Sequence, residues 1–248
     1  PTDAPAVQVD VTQARQNRHV VDRWVQRLTE VYGRDLHIRQ LPAQPATTVP
    51  IPDWLDKKVV NALAAQSITG LWHHQRQALD AFATGANVIV ATGTASGKSL
   101  TYQVPIAHAV TTDPKARALY LAPTKALAHD QLRAMTELRM RELVPATYDG
   151  DSDQVERRFA REVANVIVTN PDMLHHALLP GHERWQPLLR HLSVIAVDEC
   201  HLYRGMFGAH VANVLRRLLR LAQLHGSAPQ VVMASATVGQ PAAHAHTL

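Results

Sequence analysis

The chain has 248 residues, 46% hydrophobic and 19% charged, the balance of a globular protein with a full core. Its formal net charge of +4 suits a polyanionic partner without singling one out. The single cysteine, Cys200, excludes an internal disulfide and a multi-cysteine zinc site within these residues, and no apolar run approaches the roughly eighteen residues that cross a bilayer. The first ten residues have neither a basic nor an apolar leader region, so no signal peptide is expected and a cytoplasmic, membrane-free setting is.

Apolar residues at Val21, Trp24, Val25, Leu28, Val31 and Tyr32 recur at helical spacing and predict a helix over 20–32. Prolines at 42, 45, 50 and 52 mark an extended connector, so residues 1–50 are expected to form a helical appendage and 51–248 the main domain. Asp53 is the expected N-cap of a short helix running through Leu63, and a further helix is expected near Trp72. The rhythm then changes. Short continuous apolar runs at 87–91, 118–122, 163–169, 194–197 and 231–234 alternate with helical patterns such as 125–140 and 208–221. Strands buried on both faces read this way, and the alternation predicts an α/β fold: a mainly parallel sheet flanked by helices. Such sheets bind ligands at the carboxyl ends of their strands, where nearly every run here is followed by polar residues.

The first run leads into Thr92-Gly-Thr-Ala-Ser-Gly-Lys-Ser99 and then an apolar helix. Loop amides and a helix N-terminus converging on one point suit nucleotide phosphates. Thr94, Ala95, Ser96, Gly97, Lys98 and Ser99 are the expected ATP contacts, with the Lys98 ammonium on the β/γ-phosphates and the Ser99 hydroxyl on Mg2+. Thr92 stands where the strict phosphate-loop pattern has glycine. The run at 194–197 ends in Asp198-Glu-Cys-His201. Asp198 is the expected Mg2+ ligand and Glu199 the base for the attacking water, which with Lys98 complete the expected catalytic set.

Phosphate loop, Asp-Glu-Cys-His and Ala234-Ser-Ala-Thr237 stand in the order and spacing of the DEAD/DEAH-box superfamily 2 helicases, which the chain resembles over about residues 50–248. The wording ATGTASGKSL and DECHLYRGMFGAHVANVLRRL is similar to the bacterial MrfA/YprA-type DNA-repair helicases. The resemblance implies a RecA-like P-loop NTPase lobe, ATP and Mg2+ as ligands, and single-stranded nucleic acid, more specifically DNA, as partner. It implies that Gln75 reads the adenine edge, by the amide pairing used in base recognition. Trp72 either stacks on the nucleotide or anchors its helix in the core. His201, Ser235 and Thr237 would couple the ATP site to the rest of the motor, with a capping or core role as the alternative for His201. Pro123, Thr124, Lys125, Gly150, Asp151, Thr169, Asn170, Pro171, Asp172 and Arg204 would contact the nucleic-acid backbone. Asn170-Pro-Asp also reads as a helix start, and both readings can hold together. Motors of this type carry a second RecA-like lobe in cis that supplies arginine fingers, so these residues alone are expected to hydrolyse ATP negligibly.

Overall fold

The structure is a computed structural model describing residues 11–33, 47–93 and 95–248. It separates into two units, 1–45 and 46–248. Within the first, helix α1 (Val11–Tyr32) carries Val21, Trp24, Leu28, Val31 and Tyr32 along one face, all exposed. The connector prolines at 42 and 45 lie outside the described residues. The boundary expected at 50/51 moves to 45/46, because β1 (Thr48–Val49) already pairs antiparallel with β2 (Leu71–Trp72).

The second unit is built on six parallel strands: β3 (Val88–Ala91), β4 (Arg117–Leu121), β5 (Pro145–Thr147), β6 (Val166–Thr169), β7 (Leu192–Val197) and β8 (Gln230–Ser235). Their order across the sheet is β3-β8-β7-β4-β6-β5. Each connection carries a helix. These are α2 (Lys57–Ala65) and α3 (His73–Ala83) before β3, α4 (Leu100–Thr112), α5 (Lys125–Glu137) and α6 (Gln154–Glu162). Then follow α7 (Pro171–Met173), continued by a π-turn over Leu174–Leu178, α8 (Gln186–Arg190), α9 (Gly205–Leu224) and α10 (Pro241–Thr247).

The continuous apolar runs split by parity. Ala118, Tyr120, Val166, Val168, Val194 and Ala196 face a core roofed by α2 to α5. Leu119, Leu121, Ile167, Ile195 and Val197 face a second core under α6 to α9. That double burial is why neither face alternates with polar residues. Full burial of a side chain such as Leu119 or Ile195 contributes roughly 1.5–3 kcal/mol.

Three local expectations are corrected. Asp56, not Asp53, caps α2: its carboxylate accepts from Lys58 N at 2.8 Å. The run at 163–169 becomes strand only from Val166, because Val163 ends α6 and Asn165 locks the turn, accepting from Val144 N and donating to Glu142 O. β5 and α6 were not anticipated at all. No helix among the described residues is long and apolar enough to cross a membrane.

Candidate nucleotide site and nucleic-acid edge

β3 ends at Ala91, and the loop from Thr92 curls back before α4 starts at Leu100. Ala95 (φ 57°) and Gly97 (φ 70°) adopt left-handed backbone, the device that bends successive amides into an anion-binding concavity. The left-handed backbone at Gly97 favours glycine, and a Cβ there would stand 2.6 Å from Gln75 Nε2 and push that amide aside. The Thr92 and Ser96 hydroxyls meet at 2.6 Å, and Ser96 donates to Gly93 O. Lys98 Nζ donates to Thr92 O and Gly93 O, each at 2.9 Å. Thr94 lies outside the described residues.

Gln75 reaches the loop from the first turn of α3. Its Oε1 accepts from Trp72 N and its Nε2 donates to Gly97 O, both at 2.8 Å, so it joins the helix start to the loop. Each amide atom keeps one further bonding position, as adenine pairing would need, although the group is buried at 4% exposure. Trp72 is 39% exposed and is no part of the core. His74, a residue with no expected role in the site, packs edge-on to Trp72. Burial depresses its pKa, which a bond to the Ser96 backbone partly opposes.

Asp198 follows β7 and is nearly buried. Its Oδ2 accepts from Tyr120 Oη at 2.6 Å and Tyr102 Oη at 3.1 Å, and its Oδ1 from Glu199 N at 2.8 Å. Burial pushes both phenols far above their usual range, so both act as donors. Tyr102 stands in the first turn of α4, three residues after Ser99. One phenol therefore connects the end of the phosphate loop to the acidic box, 96 residues apart in sequence. Ser99 and Asp198 offer hard oxygen donors for Mg2+, which usually takes one or two protein ligands and fills the rest with phosphate and water. Among the described residues no cluster of three or more His, Cys, Asp or Glu side chains is arranged to hold a metal.

Glu199 sits at φ 46°, ψ 40°, a left-handed conformation costing about 1–2 kcal/mol for a residue with a Cβ. Its Oε2 lies 3.0 Å from His201 Nδ1, yet the same nitrogen is 3.2 Å from Ala236 N. One nitrogen cannot accept from the amide and donate to the acid together. The amide contact is the directional one, so Nδ1 is the acceptor and the buried Glu199 Oε2 has no donor. Ser235 is fully buried and Thr237 exposed, and Ser235 O accepts from Thr92 N, so β8 touches the loop directly. Cys200 is buried, which raises its thiol to about 11 and leaves it inert. His244 of α10 bonds Cys200 O at 2.7 Å, a contact no sequence motif announces.

The strand order divides the carboxyl edge. β3, β8 and β7 carry the expected nucleotide residues; β4, β6 and β5, side by side, carry the expected nucleic-acid contacts other than Arg204. Thr124 caps α5 through Leu127 N, and Asn170 caps α7 through Met173 N, with Pro171 in the first turn. Pro123 lies between Leu121 and that cap, half-buried. Lys125 forms an ion pair with Asp151, joining the β4 and β5 ends across the exposed Gly150. The Asp149 carboxylate receives Asp151 N and Ser152 N and so sets the turn. Thr169 is buried, its hydroxyl donating to Tyr148 O and its carbonyl accepting from Ala122 N, so it holds strand ends together inside the protein. Asp172 and Arg204 are exposed. Arg204 precedes α9, where a Cβ on Gly208 would stand 2.4 Å from Tyr203 O, a close approach that fixes the helix start.

A family model described as "DEAD/DEAH box helicase" matches residues 72–245. The chain belongs to that family. The ATP-dependent helicase YprA of Bacillus subtilis is 40% identical over 205 residues, covering 82% of this DEAD/DEAH box chain and 27% of the relative. The ATP-dependent helicase HRQ1 of Saccharomyces cerevisiae is 38% identical over 240 residues, covering 92% of this chain and 22% of that protein. A crystal structure of the helicase MrfA bound to DNA is 41% identical with a TM-score of 0.80, covering 83% of this chain and 30% of that one. The chain therefore spans less than a third of the length of these relatives. The six-stranded parallel sheet is the RecA-like fold of helicases.

Proposed function

We propose that this chain is the ATP-binding lobe of a motor that couples Mg-ATP hydrolysis to movement on single-stranded DNA. The observation that carries the reading is the hydrogen bond from Tyr102, in the first turn of α4 just after Ser99, to Asp198, which brings the end of the phosphate loop and the acidic box together. In this reading the loop amides and Lys98 bind the phosphates, Ser99 and Asp198 hold Mg2+, and Glu199 accepts the proton of the attacking water. The metal, when bound, neutralises charge building on the transferred phosphoryl group. Gln75 and Trp72 attend the base, and His201, Ser235 and Thr237 transmit the state of the site through β8.

DNA is favoured over RNA because MrfA, 41% identical, was crystallised on DNA. The residues at the ends of β4, β5 and β6 would grip backbone phosphates without reading sequence. A repair role and a cytoplasmic setting follow from likeness to the bacterial subgroup. The arginine fingers would come from a second RecA-like lobe in cis, whereas the described residues contain one sheet of this kind.

Two measurements test this. The 248-residue chain should bind Mg-ATP yet turn it over at least about a thousandfold slower than a two-lobed protein, the contribution of an arginine finger. In a two-lobed protein carrying this sequence, single-stranded DNA should stimulate ATPase activity, and Lys98→Ala or Glu199→Gln should abolish it. Full activity in Lys98→Ala, or brisk DNA-stimulated turnover by the single lobe, overturns the assignment.

A further inference from the structure

Two buried tyrosines share one oxygen of the acidic box, and the chemistry assigned so far gives them no task. Tyr102 lies on α4, three residues after Ser99, so both project from the same side of the first helical turn. Tyr120 lies on β4, the neighbour of β7 in the sheet. Their rings stand 5.3 Å apart, tilted by 53°, and both are almost wholly buried. Each hydroxyl is carried into the core and must find a partner there. Both find Asp198 Oδ2.

The consequence is an asymmetric carboxylate. Oδ2 receives two phenolic donors and has no room for more; Oδ1 receives only Glu199 N and keeps a lone pair. A carboxylate on a free side chain rotates about its last bond, and donors on one oxygen stop that rotation. Because Tyr102 shares the first turn of α4 with the end of the phosphate loop, its bond to Asp198 also ties the segment carrying Ser99 to the carboxylate.

We propose that Tyr102 and Tyr120 are positioning residues that lock Asp198 with Oδ1 presented to the magnesium of bound nucleotide, and so set how much Mg2+ the site requires. This rests on the nucleotide-site reading above. The tyrosines touch neither nucleotide nor reacting atoms and act through Asp198. Mg2+ demands near-ideal octahedral geometry, so a carboxylate held in advance lowers the cost of binding it.

The test is the affinity of a fluorescent ATP analogue for the chain, titrated against free Mg2+ and repeated in EDTA. Tyr120→Phe and Tyr102→Phe keep the rings and remove the hydroxyls. Each should raise the half-saturating Mg2+ roughly three- to tenfold, the equivalent of one ordinary hydrogen bond, and the double variant should exceed either. The EDTA affinity should move by less than about twofold, since the metal-free complex does not use the network. Melting temperatures are measured alongside. A lowered melting temperature with unaltered Mg2+ demand marks a purely structural role and overturns the proposal. Asp198→Asn separates the two levels: if it changes Mg2+ demand and the phenylalanines do not, the proposal falls alone. If Asp198→Asn changes nothing, or the wild-type chain shows no Mg2+-dependent binding, the nucleotide site falls and takes the tyrosines with it.

Discussion

Lys125 and Asp151 show how a side chain can be assigned to nucleic acid and yet already have a partner. The hydrogen bond to Asp151 raises the ammonium's pKa and lowers that of the carboxylate. Both groups are open to solvent, so salt and competing phosphates displace the pair readily. Asp151→Asn should therefore tighten single-strand binding and steepen the slope of log affinity against log salt by about 0.7, one extra phosphate contact. Lys125→Ala should weaken binding and flatten the slope; anisotropy titrations across a salt series read both, and identical slopes in all three proteins would refute the competition. Cys200 offers a sharper check. Its buried thiol, pushed up to about 11, should resist iodoacetamide at pH 8 in the native protein and react after denaturation, as mass spectrometry will show. At this scale the sequence exposed the residues that sit in recognisable strings, from Lys98 to Glu199. It hid Tyr102, Tyr120 and His74, whose meaning lies in what they touch. A tyrosine inside an apolar run is the usable signal, because its hydroxyl needs a buried partner.

Among the elements, α2 carries the plainest correction. Asp53 and Asp56 are both credible caps on paper, but only Asp56 accepts a helix amide. Asp56→Ala should cost about 1 kcal/mol in urea melts, with Asp53→Ala near zero. Equal effects would place the helix start wrongly. The same turn gives a pH dependence. His108 Nδ1 accepts from Asp56 N, its ring packs against Trp54, and burial lowers its pKa despite the nearby Asp56 carboxylate, which raises it. A base with a depressed folded-state pKa stays neutral in the fold while the unfolded chain takes up a proton. Stability should thus rise with pH through that window and fall as pH drops below about 6.5. His108→Asn, which keeps an acceptor but cannot be charged, should flatten the fall between pH 7.5 and 5.5. The long apolar runs were legible because both faces of the sheet are covered. β5 was not: it has three residues, begins with proline and sits at the sheet edge. α6 was overlooked because its sequence is largely polar, although Asp153 and Glu156 form a capping box that could have announced it.

For the whole molecule, the strand order matters more than any single contact. It sets the proposed nucleotide residues on three adjacent strands and, Arg204 apart, the proposed backbone contacts on the other three, with β7 and β4 as the seam. Tyr120, on β4, bonds Asp198, at the end of β7, and so crosses that seam. The order itself could not be read from the sequence, since parallel strands impose no local pairing signal; only the handedness and the carboxyl-end rule constrain it.

β3, early in the chain, pairs with β8 and with no other strand of the sheet among the described residues. During synthesis the phosphate-loop strand must therefore wait, unpaired, for about 140 further residues to emerge, a separation given by Val88 and Gln230. The four strands β7, β4, β6 and β5 can assemble before that. A nascent chain halted ahead of Gln230 should then show protected amides in those four strands and rapid hydrogen exchange at 88–91, acquiring ATP affinity only once the final strand slides in. On this expectation the proposed binding site would form only when β8 of this sheet has left the ribosome.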